Sequence, residues 1–392
     1  MSWPLVKLTE VAEVNPRCPK DIDEDQIVSF VAMASASEAG LLLGEELRVL
    51  KDTKKGFTYF ERGDVLLAKI TPCFENGKTL RPYQIKNQVG FGSTEFHVVR
   101  ADLEKLDPTY LFYLLWSDAF RFLGTNAMAG AAGQKRVGTP FLKQLEIPLP
   151  PLDEQKRIAA ILDKADAIRQ KRKQAIDLAD EFLRSVFLDM FGDPVTNPKG
   201  WEVKVCKDLF KRVTVGIVVK PSSYYVESGV PALRSLNIGC YGIRPENLVY
   251  VSKSDNESRL SKTRVYEGDL VIVRSGQPGK TAVVCKEFDG VNAIDILIAT
   301  PKEELIDQQF FAFFMNSEGG KKIVLAEQRG QVQKHFNVGS LNSTGIPLPP
   351  LSLQRTFAEI VATVYGKYQT NKVTEFNEVF NSLSQKAFSG QL

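Results

Sequence analysis

Six residues, Ile-Pro-Leu-Pro-Pro-Leu, stand at 147–152 and again in the same order at 346–351, an offset of 199 in a chain of 392 residues. A repeat at half the chain length means that one structural plan is used twice, and a fold that suits the first half must also suit the second. The same offset aligns Gln134-Lys135 with Gln333-Lys334 and Leu142 with Leu341. Nearby offsets align Trp3 with Trp201, Gly63-Asp64 with Gly268-Asp269, and Gly77-Lys78-Thr79 with Gly279-Lys280-Thr281. The matches keep their order along both halves, so the chain reads as two tandem modules.

Each module begins with a mixed segment. Short β-branched, apolar runs at 64–70, 96–100, 248–251, 269–273 and 294–300 are punctuated by Gly, Pro, Asn and Asp, the pattern of strands and turns. A short helix is expected at 108–122 in the first half and at 307–325 in the second. Their aromatics (Tyr110, Phe112, Tyr113, Trp116; Phe310, Phe311, Phe313, Phe314) recur at helical spacing, which favours a core face over a base-stacking platform.

A long helix follows each proline box. After the first come Asp153 and Glu154, carboxylates placed where a helix start favours them. From Ile158 the expected seam runs through Ile161, Ala165, Ile168, Arg172, Ala175, Ala179, Phe182 and Val186, in steps of three and four. At ~1.5 Å per residue, the roughly 37 residues of 153–189 make a rod about 55 Å long. The second helix repeats a weaker stripe (Phe357, Val361, Val364, Tyr368, Phe376, Val379, Phe380, Leu383), with Gly366 inside it marking an expected bend.

Connectivity then suggests an architecture. The first helix leads from module 1 to module 2, and the second leaves module 2; if a two-fold axis relates the modules, the second helix returns to Trp3. The expected fold class is mixed α/β: two similar globular domains joined by two long antiparallel helices in a pseudo-two-fold dumbbell whose termini meet. The expected boundaries are domain 1 at 1–146, spacer helix 1 at 147–191, a Gly/Pro-rich hinge linker at 192–200, domain 2 at 201–345 and spacer helix 2 at 346–392.

Composition narrows the function. With 43% hydrophobic and 25% charged residues the chain is of ordinary globular type. Two His (His97, His335) and five scattered Cys leave no metal or redox spacing, so neither a metal site nor a catalytic residue is expected. No run approaches the ~20 apolar residues of a membrane span, and the start lacks a signal-peptide pattern, so a cytoplasmic protein without a membrane partner is expected. Segment 1–146 holds 18 basic and 19 acidic residues, and 201–345 holds 19 and 16. Any nucleic-acid surface is therefore local, and binding by the free chain should be weak and strongly salt-dependent.

The stretch 274–281, Arg-Ser-Gly-Gln-Pro-Gly-Lys-Thr, lacks the first glycine of a phosphate loop and reads as a turn between strands. No Asn-Pro-Pro-aromatic methyltransferase motif occurs, and the acidic run at 21–25 reads as a solvated loop. Side chains suited to DNA on turns and loops are Lys51, Lys54, Lys55, Lys69, Lys78, Gln134, Lys135 and Arg136 in the first module, and Arg234, Asn237, Arg274, Gln277, Lys280, Gln333, Lys334 and His335 in the second.

The run Ile-Pro-Leu-Pro-Pro-Leu-Asp-Glu-Gln-Lys-Arg-Ile at 147–158, the linker Met190-Phe191-Gly192-Asp193-Pro194 and the terminal Ala387-Phe388-Ser389-Gly390-Gln391-Leu392 resemble the specificity subunit of type I restriction-modification systems. The likeness spans nearly the whole chain. At the second helix Ser352-Leu353-Gln354-Arg355 stands in place of Asp-Glu-Gln-Lys. The resemblance implies two target-recognition domains, each reading half of an asymmetric bipartite site in double-stranded DNA, with the helices as ruler and docking site for two methyltransferase subunits. It also implies restriction/translocase subunits as further partners. S-adenosylmethionine would belong to the methyltransferase, and ATP and Mg to the restriction subunit; this chain would hold no cofactor. Arg169, Lys171, Lys173 and Tyr368 are the side chains expected to face protein partners. An autonomous DNA-binding regulator or a coiled-coil structural adaptor is the competing expectation.

Overall fold

The computed structural model describes residues 3–131, 133–240, 242–326, 336–367 and 371–392. The chain divides into two compact units, Met1–Lys171 with Glu375–Leu392, and Arg172–Thr374.

In the first unit the wholly buried strand Val65–Ala68 pairs antiparallel with Phe96–Ala101 on one side and Thr79–Leu80 on the other, and Ala12–Val14 extends the sheet beyond Phe96–Ala101. The second unit has the same order, with Phe210–Val215, Ile296–Pro301, Leu270–Val273 and Thr281–Val283. Each unit adds a second four-stranded sheet with one parallel pair: Ile27–Val31 with Val89–Gly92, and Val230–Leu233 with Asn292–Ala293. The mixed α/β class is borne out, and each of the five expected strands lies within two residues of its expected ends.

The proline box forms the last strand of each module. Glu146–Pro148 pairs with Leu5–Lys7, and Gly345–Pro347 pairs with Val203–Val205, burying Ile147 and Ile346. The prolines that follow cannot donate to a sheet, so pairing stops and a helix starts.

Where the periodicity predicts one helix at 108–122 and one at 307–325, the structure has two in each place: Pro108–Trp116 and Asp118–Asn126, then Gln308–Asn316 and Glu318–Ala326. The break falls at Ser117 and Ser317. Both take extended backbone, and their hydroxyls accept from the N–H of Phe120 (3.2 Å) and Gly320 (3.0 Å), capping a new helix. The aromatic stripe is core. Tyr110, Phe112, Tyr113 and Trp116 are buried in the first unit, as are Phe310, Phe311 and Phe314 in the second, with Phe313 packed against them.

The first spacer helix runs from Leu152 to Phe191, 40 residues. Its buried seam departs in part from the expected one: the expected Ile158 and Ala179 face inward, joined by Leu162, Leu183, Phe187 and Phe191, whereas Ile168 and Phe182 face solvent. The expected line followed alanines; the large Leu and Phe side chains beside it bury more apolar area and set the rotation of the helix. The second spacer is described as Leu351–Lys367 and Asn371–Ser389. In the first unit Arg157 meets the carbonyl of Leu392 and Arg169 lies over Phe380; in the second, Phe187 meets Phe357 and Asp180 meets Tyr365. In both, advance along one helix is retreat along the other, so the helices run antiparallel. The ring of Phe357 touches Phe187, Phe191 and Phe313 at 5.0–5.5 Å, pairings worth about 0.5–1.5 kcal/mol each beyond their burial.

The 192–200 segment is a stapled turn. Asp193 accepts from the N–H groups of Val195 and Thr196, Asn197 makes two hydrogen bonds with the backbone of Trp201, and the Trp201 indole donates to the Phe191 carbonyl at 2.9 Å. In the first unit the Trp3 indole makes the matching bond to Ala387, also 2.9 Å. The expected return of the second helix to Trp3 is therefore observed.

Candidate nucleic-acid interface

Two buried polar devices hold each module, and neither was among the expected residues. The first is the glutamine three residues into each spacer helix. The Gln155 amide accepts from Asp107 N (2.8 Å) and donates to the carbonyls of Lys105 and Pro150 (2.9 Å each). Gln354 repeats this with Asp307 N (2.9 Å), Leu305 (3.3 Å) and Pro349 (2.8 Å). Asp107 and Asp307 in turn cap the aromatic helices. Of Asp-Glu-Gln-Lys, the glutamine is the member that both copies need for packing. The motif was its available signal.

The second device is the carboxylate after the repeated glycine. Asp64 receives the Arg100 guanidinium at two distances of 2.8 Å, and Asp269 receives Arg212 at 2.8 Å and the Thr300 hydroxyl at 2.6 Å. Arg100 lies on the central strand opposite Glu13, whereas Arg212 lies on the edge strand opposite Thr300. The cation has changed strands while reaching the same carboxylate, so sequence alignment alone does not find it.

The repeated Gly-Lys-Thr turn links two strands in each unit, as expected, and is tied to the end of the aromatic helix. The Trp116 indole donates to Gly77 (3.1 Å) and Glu38 (3.3 Å); the Asn316 amide donates to Thr281 (2.8 Å) and Cys240 (3.0 Å). Lys78 bends back to the Met33 carbonyl at 3.4 Å. Lys280 is half-buried; burial, with Arg244 and Lys321 nearby, holds its pKa below the usual lysine value.

Several candidate cations are already engaged. Lys51 and Lys54 pair with Asp25 (2.8 Å) and Glu24 (3.2 Å), so the acidic run at 21–25 is partly neutralised by them. Lys55 is exposed. Arg136 grips Glu95 through Nε (3.0 Å) and a terminal nitrogen (2.8 Å), and this hydrogen-bonded pairing lowers the Glu95 pKa. The grip fixes a loop on which Gln134 and Lys135 stand exposed, with half-exposed Lys69 alongside. In the second unit Arg274 pairs with Asp295 and Arg234 donates to the Asn247 carbonyl, while Gln277 is exposed. Asn237 needs correction as a base reader: it is fully buried, and its amide staples the turn through Arg234 N and the carbonyls of Arg244 and Glu246. Gln333, Lys334, His335 and Tyr368 lie outside the described residues.

On the spacer, Arg169 is committed within its own unit, bonded to Asp166 at 2.6 and 3.0 Å and stacked over Trp116 and Phe380. The guanidinium expected to face a protein partner is thus held by contacts inside its own unit. Lys173 pairs with Asp177 (2.9 Å), and Lys171 is exposed. In the second unit, Leu178 (64% exposed) and Phe182 (53%) put apolar surface on the outside of the helix. No helix among the described residues is long and apolar enough to cross a membrane.

A family model described as the type I restriction modification DNA specificity domain matches residues 2–178 and again 198–380. The type I restriction enzyme EcoAI specificity subunit of Escherichia coli is 36% identical over 189 residues, covering 47% of this chain and 32% of that protein. The EcoEI subunit matches over the same share, so the aligned chain spans about a third of the length of these two relatives. A putative type I restriction enzyme specificity subunit, MjaX, of Methanocaldococcus jannaschii is 28% identical over 320 residues, 76% of this chain and 70% of that one. Among solved structures, the type I restriction-modification S subunit from M. genitalium shares the fold, with a TM-score of 0.60 at 15% identity over 99% of this chain and 96% of its own.

Proposed function

The chain belongs to the type I restriction modification DNA specificity family, and from that membership we propose that it is the non-catalytic subunit that chooses the DNA sequence on which such a system acts. Each module reads one half of an asymmetric bipartite site, and the antiparallel spacer helices set the gap between the half-sites. Two similar modules on a fixed spacer suit half-sites about one helical turn, ~34 Å, apart. The modules share the strand order of their first sheet but differ in the order of their second and in their loop side chains, so the two halves of the target differ in sequence.

The observation that carries this reading is the duplicated module, with the same order in its first four-stranded sheet and the same aspartate and serine caps on its paired helices, each copy seated on antiparallel spacer helices through an equivalent buried glutamine. Exposed Gln134, Lys135, Gln277 and half-buried Lys280 are the proposed DNA contacts among the described residues. The outward apolar residues of the spacer, with Lys171, are proposed to receive two methyltransferase subunits, with restriction/translocase subunits joining that assembly in the cytoplasm. Methyl transfer from S-adenosylmethionine and ATP- and Mg-dependent cleavage would be the work of those partners.

The test is methylome sequencing of the host with and without this gene. Loss of methyladenine at one bipartite motif, two short half-sites around a fixed gap, is expected. An unchanged methylome in cells that express the chain and its partners would refute the proposal and favour a regulator or adaptor.

A further inference from the structure

Four positions around the Gly-Lys-Thr turn can be matched between the units, three by their hydrogen bonds and one by the repeated tripeptide. Leu43 N donates to Ser35 O (2.8 Å) as Arg244 N donates to Asn237 O (2.7 Å), so Leu43 corresponds to Arg244. The carbonyls of Glu38 and Cys240 receive the equivalent bonds from Trp116 and Asn316. Lys78 corresponds to Lys280 through the repeated tripeptide. Arg121 N and Lys321 N both donate to the capping serine of their helix at 3.0 Å, which matches Arg121 with Lys321.

At these positions the first unit carries Glu38, a 67%-exposed Leu43, Lys78 turned to a carbonyl, and Arg121 bound by Asp118. The second carries Cys240, Arg244, Lys280 and Lys321. The formal charge of the four side chains is thus +1 in the first unit and +3 in the second. Packing brings the second set together. Arg244 lies across Gly239, where a Cβ would come within 3.4 Å of its Nε, and Val324, on the helix of Lys321, would press within 3.0 Å of a Cβ at Gly279. Arg244 and Lys321 are exposed, Lys280 is half-buried, and none of the three has an ion pair among the described residues. Exposed Glu318, the counterpart of Asp118, likewise makes no ion pair among the described residues. Three cations around one turn with no ion pair among the described residues repel each other, and an anion spanning them relieves that repulsion.

We infer that Arg244, Lys280 and Lys321 form a phosphate grip on the DNA backbone in the second module, whereas the matching place in the first is electrostatically blunted, so that the two half-sites are held unequally. The inference rests on the proposed DNA-recognition role. It predicts that the half-site under residues 201–345 contributes most of the salt-dependent binding and the first contributes proportionally more through shape and direct base contact.

The experiment is DNA binding by the full chain across a salt series, using duplex DNA as the probe. Each phosphate contact contributes about 0.9 to the slope of log K against log salt. The combined variant Arg244→Gln, Lys280→Gln, Lys321→Gln should flatten the slope by about 2.7 with sequence preference retained, and Lys280→Gln alone by about 0.9. Lys280→Arg should keep the wild-type slope. Lys78→Gln with Arg121→Gln should flatten it by less than about 1. An unchanged slope in the triple variant, or equal losses from the two modules, would overturn the inference while leaving the DNA-binding role intact. A triple variant that keeps the DNA slope but loses methyltransferase association would overturn it in favour of an acidic protein surface. A wild-type chain that binds DNA at no salt concentration would instead refute the role itself.

Discussion

Replacing Gln155 by Met keeps the length of the side chain and removes its amide. The change strands one buried N–H, that of Asp107, and two carbonyls, those of Lys105 and Pro150, now bonded at 2.8–2.9 Å. An unsatisfied buried group costs about 1–3 kcal/mol, and carbonyls that can shift toward water fall at the low end, so the loss should be about 3–5 kcal/mol. Gln354→Met strands Asp307 N and the carbonyls of Leu305 and Pro349, and should cost the same within about 1 kcal/mol, the longer bond to Leu305 making it slightly milder. Denaturant unfolding of the full chain can separate the two. Trp3 and Trp116 report on the first unit and Trp201 on the second, so each variant should move one fluorescence transition more than the other. By contrast, Asp153→Ser and Glu154→Leu, which copy the second helix onto the first, should each cost less than about 1 kcal/mol, because Asp153 is exposed and half-buried Glu154 loses only its place in the first helical turn and its pairing with Arg157 at the helix surface. A midpoint shift in either glutamine variant worth less than about 1 kcal/mol would refute the claim that this amide clamps module to spacer.

Two further outcomes are expected. His97 is buried between the Val137 carbonyl and Asn15, and burial lowers its pKa from the ordinary 6.5, so the unfolded chain binds its proton more readily. Stability should therefore fall as pH drops from neutral through about 6.5 toward the folded-state value, with a smaller slope in His97→Gln; equal slopes in pH-dependent denaturation would dismiss His97 as the cause. Joining Leu392 to Met1 and opening the chain within 192–200 should preserve cooperative unfolding and DNA preference, because the Trp3–Ala387 and Trp201–Phe191 bonds are equivalent closures. Loss of cooperativity in that permutant would show that the stapled 193–201 turn cannot be cut.

The fold was legible wherever a feature is local or periodic. The proline box ends a strand and starts a helix because proline lacks an N–H, and both effects are written in adjacent residues. The double helix in each module is hidden in the sequence because a serine cap is weak against an aromatic stripe that continues across it at helical spacing. The seam of the spacer was misplaced for a related reason. Period 3.6 identifies a set of adjacent faces, and the choice among them was made by Leu162, Leu183 and Phe187 reaching their neighbours.

The candidate interface was legible in residue type and hidden in availability. Two-module organisation, the α/β class and the absence of catalytic motifs follow from order and composition along the chain, which survive any arrangement in space. Whether a cation is free to meet an anion depends on charges far away in sequence. Glu95 occupies Arg136 from 41 residues upstream, Asp25 occupies Lys51 from 26, and Asp64 and Asp269 draw their arginines from different strands. Arg244 and Lys321 passed unnoticed in the sequence because nothing local marks them. Folding sets them around Lys280, and electrostatic energy depends on distance through space rather than separation along the chain.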